Sequence, residues 1–392
     1  MKKYTIALLT VVAVLFSSCR KDDIPTPPNE TKERTFLIYM AAQNSLGTSS
    51  RVFDYQNIAS LLKGIKEHHL RSNNVVIYHD PYVAASGRPD TRPRLLQVVF
   101  DENGNAATRE LRIYAEQNSA SVEVMSGVID EVLKNPDLAA EKYSFLMWSH
   151  GTGWLPANPD YTSRAIGQDG NSWLNIEEFA EAIPDGAFDY IAMDACYMAA
   201  AEFAYELRGK TDYIIASGIE IMGTGMPYQA MPDYLLGRNP NYEGFCDAFY
   251  NTYASNYGLT ISLIKPDEVA GVANVVREVL KNVPVETIYA IPTSGMQYFD
   301  RLQTGVHPYH VFFDLGSFMK KIATAEQLMQ FEQAMAKAVP YSRHSDSFLL
   351  ADGGFRIGEY CGLSSYVPRN TPGLGKVNDY YKTLGWYKAV YP

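Results

Sequence analysis

The stretch Phe188-Asp-Tyr-Ile-Ala-Met-Asp-Ala-Cys-Tyr-Met-Ala-Ala-Ala-Glu-Phe-Ala-Tyr-Glu-Leu-Arg208 decides how the chain folds. Tyr190 to Met193 form a near-continuous apolar run, the texture of a parallel strand covered on both faces. The run leads through Asp194-Ala195 to Cys196, and Ala-rich, helix-favouring sequence follows as far as Gly209, a natural helix stop. The reading is a buried strand that ends at a cysteine and turns straight into a helix. In open parallel sheets, reacting groups gather where strands end and helices begin. A thiol placed there lies near a helix N-terminus, whose positive end favours the thiolate. Asp194 stands two residues before Cys196, so strand geometry, if it persists that far, puts carboxylate and sulfur on the same side.

A second apolar run, Lys142-Tyr-Ser-Phe-Leu-Met-Trp-Ser-His-Gly-Thr-Gly-Trp154, ends in His150-Gly151. A cysteine nucleophile needs a histidine to carry protons to the leaving amine and from water. A glycine after that histidine lets a substrate approach the backbone, so the N–H of Gly151 and that of Cys196 can hold an oxyanion. A single buried cysteine is ordinarily a small hydrophobe. Two strand ends carrying His-Gly and Asp-Ala-Cys favour the chemical reading over that one.

Ser149-His150-Gly151 and Asp194-Ala-Cys196 resemble the clostripain family of cysteine peptidases, relatives of caspases and gingipains. The first strand and loop, Phe36-Leu-Ile-Tyr-Met-Ala-Ala-Gln-Asn-Ser-Leu46, are similar to that family's opening. The resemblance implies a caspase-like α/β fold, a mostly parallel sheet flanked by helices, with a helical C-terminal annex. It implies His150 and Cys196 as a catalytic dyad, and Asp194 as the lining of a pocket for a basic side chain. The loop Ser217-Gly-Ile-Glu-Ile-Met-Gly-Thr-Gly-Met-Pro-Tyr228 departs from the one typical of clostripain. Its Glu220 is either a second anion of that pocket or a cap for the loop.

Strand–helix alternation from Thr35 to His150 supports a parallel sheet. Phe36–Met40 and Asn74–Asp80 read as strands, Asn57–Leu70 and Ser121–Leu133 as amphipathic helices, and Leu95–Tyr114 as a hairpin with an Asn-Gly turn. After Leu259–Ile264 the texture becomes helical, over Val269–Val283, Asp314–Ile322 and Ala325–Val339, with a late strand at Gly362–Pro368 returning to the sheet. The expected organisation is a leader over 1–18, a tether over 19–34, a catalytic core over 35–264 and a C-terminal helical region over 265–392.

Arg164 is the only basic residue between Gly151 and Ala195. For an enzyme that cuts after basic residues, Arg164–Ala165 is the one site of self-cleavage between the two catalytic residues. An uncut surface loop is the alternative, since such tips of small and polar residues are nicked by any protease.

At the start, Met1-Lys-Lys and the short apolar run Tyr4–Phe16 read as a secretion signal, too short to span a bilayer. Ser17-Ser-Cys19 resembles a bacterial lipobox, which implies lipidation at Cys19 and a membrane contact through that anchor alone. A plain signal peptide with a passive cysteine is the alternative. Arg20-Lys-Asp-Asp23 resembles the tag of surface-exported lipoproteins of Bacteroidetes, which implies the cell envelope, at the outer membrane or cell surface. Ile24–Arg34 is Pro-rich and polar, an extended tether.

The net charge of −10 argues against nucleic acid as a partner and leaves a peptide or protein substrate. No cofactor is indicated, and the acidic run Asp101–Asn105 lacks the pattern of a calcium loop. His79-Asp80 and His307-Pro-Tyr-His310 lack a third ligand and read as structural. Cys246 and Cys361 are left either paired or free. Taken together, the sequence reads as a secreted, lipid-anchored cysteine endopeptidase cutting after Arg or Lys. Its rivals are a catalytically idle surface binding module of the same fold and a peptidase with non-basic preference.

Overall fold

The apolar runs become one nine-stranded sheet in the computed structural model, which describes residues 31–48, 50–82, 90–156, 165–301 and 309–391. In chain order the strands are β1 (Lys32–Ala41), β2 (Asn73–Asp80), β3 (Arg94–Phe100), β4 (Ala106–Ile113), β5 (Ala140–Trp148), β6 (Phe188–Asp194), β7 (Thr211–Ala216), β8 (Thr260–Ile264) and β9 (Tyr341–His344). Across the sheet they run β9-β8-β7-β6-β5-β1-β2-β3-β4. The inner strands β2, β1, β5, β6 and β7 are parallel, and an antiparallel pair finishes each edge. From β1 the chain moves first to one side, to β2, and later returns to the other side, to β5. The crevice between β1 and β5 is thus the topological switch point, where such sheets place their sites.

The period of two along each inner strand feeds two cores. Leu37, Tyr39 and Ala41 of β1 pack on one face, Phe36, Ile38 and Met40 on the other. Helices 122–134, 176–182, 201–206 and 269–280 cover the first face, and helices 53–64, 231–235 and 242–253 the second. Ser121 caps helix 122–134 by accepting the Val124 N–H. Residues Lys32–Pro392 form one compact unit. Among the described residues no helix is long and apolar enough to cross a membrane.

Four expectations shift. The strand reaches back to Lys32 because Lys32 and Arg34 pair with Ala140 and Lys142. The stripe over Asn57–Leu70 splits into helices 53–64 and 67–72, broken where Gly64 presses on the Gln229 carbonyl. The C-terminal strand that joins the main sheet is β9. Ser364–Ser365 pairs instead with Phe313–Asp314, in a small sheet of its own.

The fourth concerns the cysteine. The helix after it does not start there: it covers only Ala201–Glu206. The N–H groups of Tyr197 and Ala199 bond to the carbonyls of Ile219 and Ser217, and Ala200 bridges to Ser364. Backbone that would have opened a helix is used to hold the neighbouring loops. Cys196 is therefore followed by a turn, and the helix that follows it begins only at Ala201.

Candidate active site

At the end of β5, Ser149 acts as a knot. Its Oγ donates to the Ala41 carbonyl (2.9 Å) and accepts the Gln168 N–H (2.9 Å), tying β1, β5 and the 166–169 strand together. With Ser149 turned inward, the next side chain, His150, turns outward. Its Nε2 meets Ser45 Oγ at 2.8 Å, and its ring lies near Trp173. Ser45 comes from the loop after β1, folded back by Asn44, whose Oδ1 accepts the Leu46 N–H.

Gly151 is the hinge between the two strand ends. A Cβ there would sit 2.9 Å from the Cys196 carbonyl oxygen and 3.0 Å from Ala195 Cβ, so no side chain fits without moving one strand tip. Gly151 also faces Ile166 across a bridge whose hydrogen bonds are made by its neighbours, Gly167 N–H to His150 O and Thr152 N–H to Ala165 O. In that arrangement its own N–H points away from Ile166. Gly151→Ala is expected to cost about 100-fold in kcat/KM, the scale of a small misplacement of reacting groups. Steady-state kinetics beside a melting curve would check that the loss is not one of folding.

Asp194 closes β6, paired in register with Trp148. Tyr228 Oη donates to its Oδ2 (2.7 Å), and the Met226 N–H also binds it. Gly225 passes so near that a Cβ would lie 2.5 Å from Oδ2. Burial outweighs these donors and pushes the Asp194 carboxyl up to about 6. With its amide oxygen toward the indole, Asn57 accepts from Trp148 Nε1 (2.8 Å) and donates to the Thr224 carbonyl (2.9 Å), pinning the same loop.

Cys196, His150, Gly151 and Asp194 line one cavity of about 490 Å³. Cys196 and His150 are both half-buried, so neither is sealed from solvent. The Ile221 N–H donates toward Cys196 Sγ at 3.3 Å. Burial pushes the thiol up to about 12, and the Glu220 carboxylate adds to the shift. Tyr197, directly after the nucleophile, is held at φ 63°, a conformation that costs an aromatic residue about 1–3 kcal/mol and clusters at functional sites.

The model of the clostripain family matches residues 38–390. The chain belongs to the clostripain family. It is 34% identical to an inactive zymogen C11 protease of Parabacteroides distasonis, covering 93% of this chain and 99% of that one with a TM-score of 0.79. A secreted C11 cysteine protease of Bacteroides thetaiotaomicron, solved with an irreversible peptide inhibitor, is 26% identical over 91% of this chain and 98% of that one, TM-score 0.75. Clostripain of Hathewaya histolytica is 22% identical over 336 residues. That match takes in 70% of this chain and 63% of clostripain's length. The fold is thus the mixed α/β, caspase-like one of the clostripain-family proteases.

Within this clostripain-family chain, sequence reading missed several residues of the cavity. Ser45 is a short polar residue in a loop and carries no signal of its own. Asp300, Arg301, Val311 and Phe312 also line the cavity, although the C-terminal part carries no recognisable motif. Phe312 stacks on Tyr197 (centroids 4.7 Å, 7° between planes) and roofs the cleft. Glu220 lies in the cavity wall, with its carboxylate bonded to Arg301 and Tyr197.

Of the remaining candidates, Arg164 and Cys19 lie outside the described residues, as does His307. Ala165 is buried. His79 pairs with buried Asp54 (2.8 Å), and His310 pairs with Asp300 and stacks on Tyr298. Cys246 and Cys361 are free thiols. Among the described residues, one three-donor cluster, His68, His69 and Asp233, brings its ligand atoms within 4.8 Å of one another. His69 Nδ1 accepts the Lys66 N–H, so Nε2 keeps its proton and donates to Asp233, which Lys66 Nζ also holds. That arrangement is a satisfied ion-pair cluster and offers a metal no imidazole lone pair at Nε2.

Proposed function

We propose that this chain is a cysteine endopeptidase that cuts after Arg or Lys. The observation that carries the reading is the placement of Cys196 and His150 on one open cavity with Asp194 in its wall. Cys196 gives its thiol proton to His150 as its Sγ attacks the scissile carbonyl carbon. The oxyanion that forms is held by the Gly151 and Cys196 N–H groups, donors worth roughly 3–4 kcal/mol each in other hydrolases. His150 protonates the leaving amine, and later takes a proton from the water that hydrolyses the thioester. Asp194 pairs with the substrate's cation, two-pronged where that cation is Arg. A panel of fluorogenic peptides ending in Arg, Lys, Ala or Asp tests this. Turnover confined to Arg and Lys is expected. Turnover only on neutral peptides would remove Asp194 from its role, and none on any peptide would favour the binding module.

The thiol pushed up to about 12 suits an uncut precursor, in which the nucleophile is held protonated. Cleavage after Arg164 would begin activation. What supports this is the Ala165 carbonyl, which accepts the Thr152 N–H beside His150-Gly151, so that the residue after the expected cut lies next to the catalytic strand tip. Wild type is expected to give two fragments split after Arg164 by intact-mass measurement, and Arg164→Ala and Cys196→Ala to stay whole. Cleavage of the Cys196→Ala chain alone at the same bond would assign the cut to another protease.

Secretion and lipidation at Cys19 complete the proposal, resting on the charged start, apolar run and lipobox-like Ser17-Ser-Cys19. Fatty-acid labelling in the producing cell is expected to mark wild type and not Cys19→Ala. Equal labelling of the two would remove the anchor.

A further inference from the structure

Besides the dyad, the cavity holds a pair of opposite charges. Glu220 Oε1 accepts from Tyr197 Oη (2.8 Å) and from Arg301 Nε (3.0 Å), and its Oε2 accepts from Arg301 Nη2 (2.6 Å). The residues on either side of Glu220 grip the nucleophile's own backbone and sulfur. The Ile219 carbonyl accepts the Tyr197 N–H at 3.0 Å, and the Ile221 N–H points at Cys196 Sγ at 3.3 Å. Glu220 thus stands at the centre of a three-residue clasp around Cys196-Tyr197. Arg301 reaches it from the C-terminal half of the chain.

The charged and titratable groups facing the sulfur come from four sides. Asp194 lies on the end of β6, Glu220 on the 217–228 loop, His150 on the end of β5, and Asp300 and Arg301 in the C-terminal half of the chain. Asp300 is already engaged by the Val311 N–H and His310. The anions Asp194 and Glu220 both oppose ionisation of the thiol, and Arg301 favours it.

We propose that Arg301 is a positioning residue for the nucleophile: its two-pronged pair with Glu220 cancels that carboxylate's charge beside Cys196 and holds the 219–221 backbone against the sulfur. The proposal rests on the reading of Cys196 as nucleophile and names what governs its reactivity. Without Arg301, an uncompensated carboxylate faces the forming thiolate. With both charges removed, the repulsion goes together with the cation that offset it.

The test is the rate at which iodoacetamide alkylates Cys196 in the full chain, read by peptide mapping from pH 7 to 9. There the rate follows the thiolate fraction, so one pKa unit is a tenfold change. Arg301→Gln is expected to alkylate about tenfold slower, with the slope of rate against pH unchanged, and Glu220→Gln about tenfold faster. The double variant is expected within about threefold of wild type, and Arg301→Lys, which restores the charge, nearer to wild type than Arg301→Gln. A purely structural role would leave the double variant as impaired as Arg301→Gln. That result, or a wild-type or faster rate in Arg301→Gln, overturns the proposal. Should Arg301→Gln fail to fold, Glu220→Gln decides alone: a faster rate supports the proposal, an unchanged or slower one overturns it. Peptide cleavage plays no part in this readout, so a chain that cuts no peptide but shows the pattern loses the peptidase reading and keeps the role of Arg301.

Discussion

Cys196→Ala is expected to lower kcat on Arg- and Lys-ending peptides by on the order of 10⁶, the size of loss when a hydrolase loses its nucleophile. The expectation follows from how little else the site offers. The oxyanion donors and the substrate pocket remain, but no neighbouring side chain replaces the sulfur as a covalent partner. Ala195 and Tyr197 flank it in the chain, and the nearest loop contact is the Ile221 backbone. The fold should be indifferent to the change. Cys196 is half-buried and its sulfur makes only weak contacts with Ile221, so melting temperature is expected to move by a few degrees at most. Activity falling with stability, in place of activity alone, would assign Cys196 to packing.

Asp194→Asn is the second large effect, and it acts on selectivity. Leaving a buried cation without its partner costs about 2–5 kcal/mol, so kcat/KM for Arg and Lys peptides is expected to fall roughly 30- to 4,000-fold. Neutral peptides should lose only a few fold. Wild-type turnover of basic peptides should weaken below about pH 6, where the carboxyl takes up its proton. The effect on stability has the opposite sign. The carboxyl rises from 3.8 unfolded to about 6 folded, so between those values the folded chain binds more protons. Stability from this group therefore falls as pH rises through that window, by about 3 kcal/mol in all. Above pH 6 the asparagine variant escapes that cost and keeps an acceptor for Tyr228 Oη, so it should melt higher than wild type at pH 7. Thermal melts at pH 4 and pH 7 test this. A variant that melts lower at both would show that the carboxylate stabilises the loop.

How much of this could be read from the residues depends on the range of the interaction. Apolar runs announce buried strands, so β1, β2, β5 and β6 could be read locally, and His150 and Cys196 could be placed at strand ends. The helix expected at Cys196 failed for a long-range reason. Its alanine-rich sequence favours helix, but the carbonyls of Ser217 and Ile219 take the N–H groups of Ala199 and Tyr197. Arg301 was invisible for the same reason, since nothing near it in the chain points to Glu220. Ser45 reaches His150 only because β1 and β5 are neighbours in the sheet.

The most direct test is covalent capture. The processed protein is incubated with a chloromethyl ketone peptide ending in Arg, and the adduct is located by peptide mapping. A single adduct on Cys196 is expected, outcompeted by an Arg substrate. Labelling of Cys246 or Cys361 in its place, or none at Cys196 in a chain cut after Arg164, would contradict the dyad.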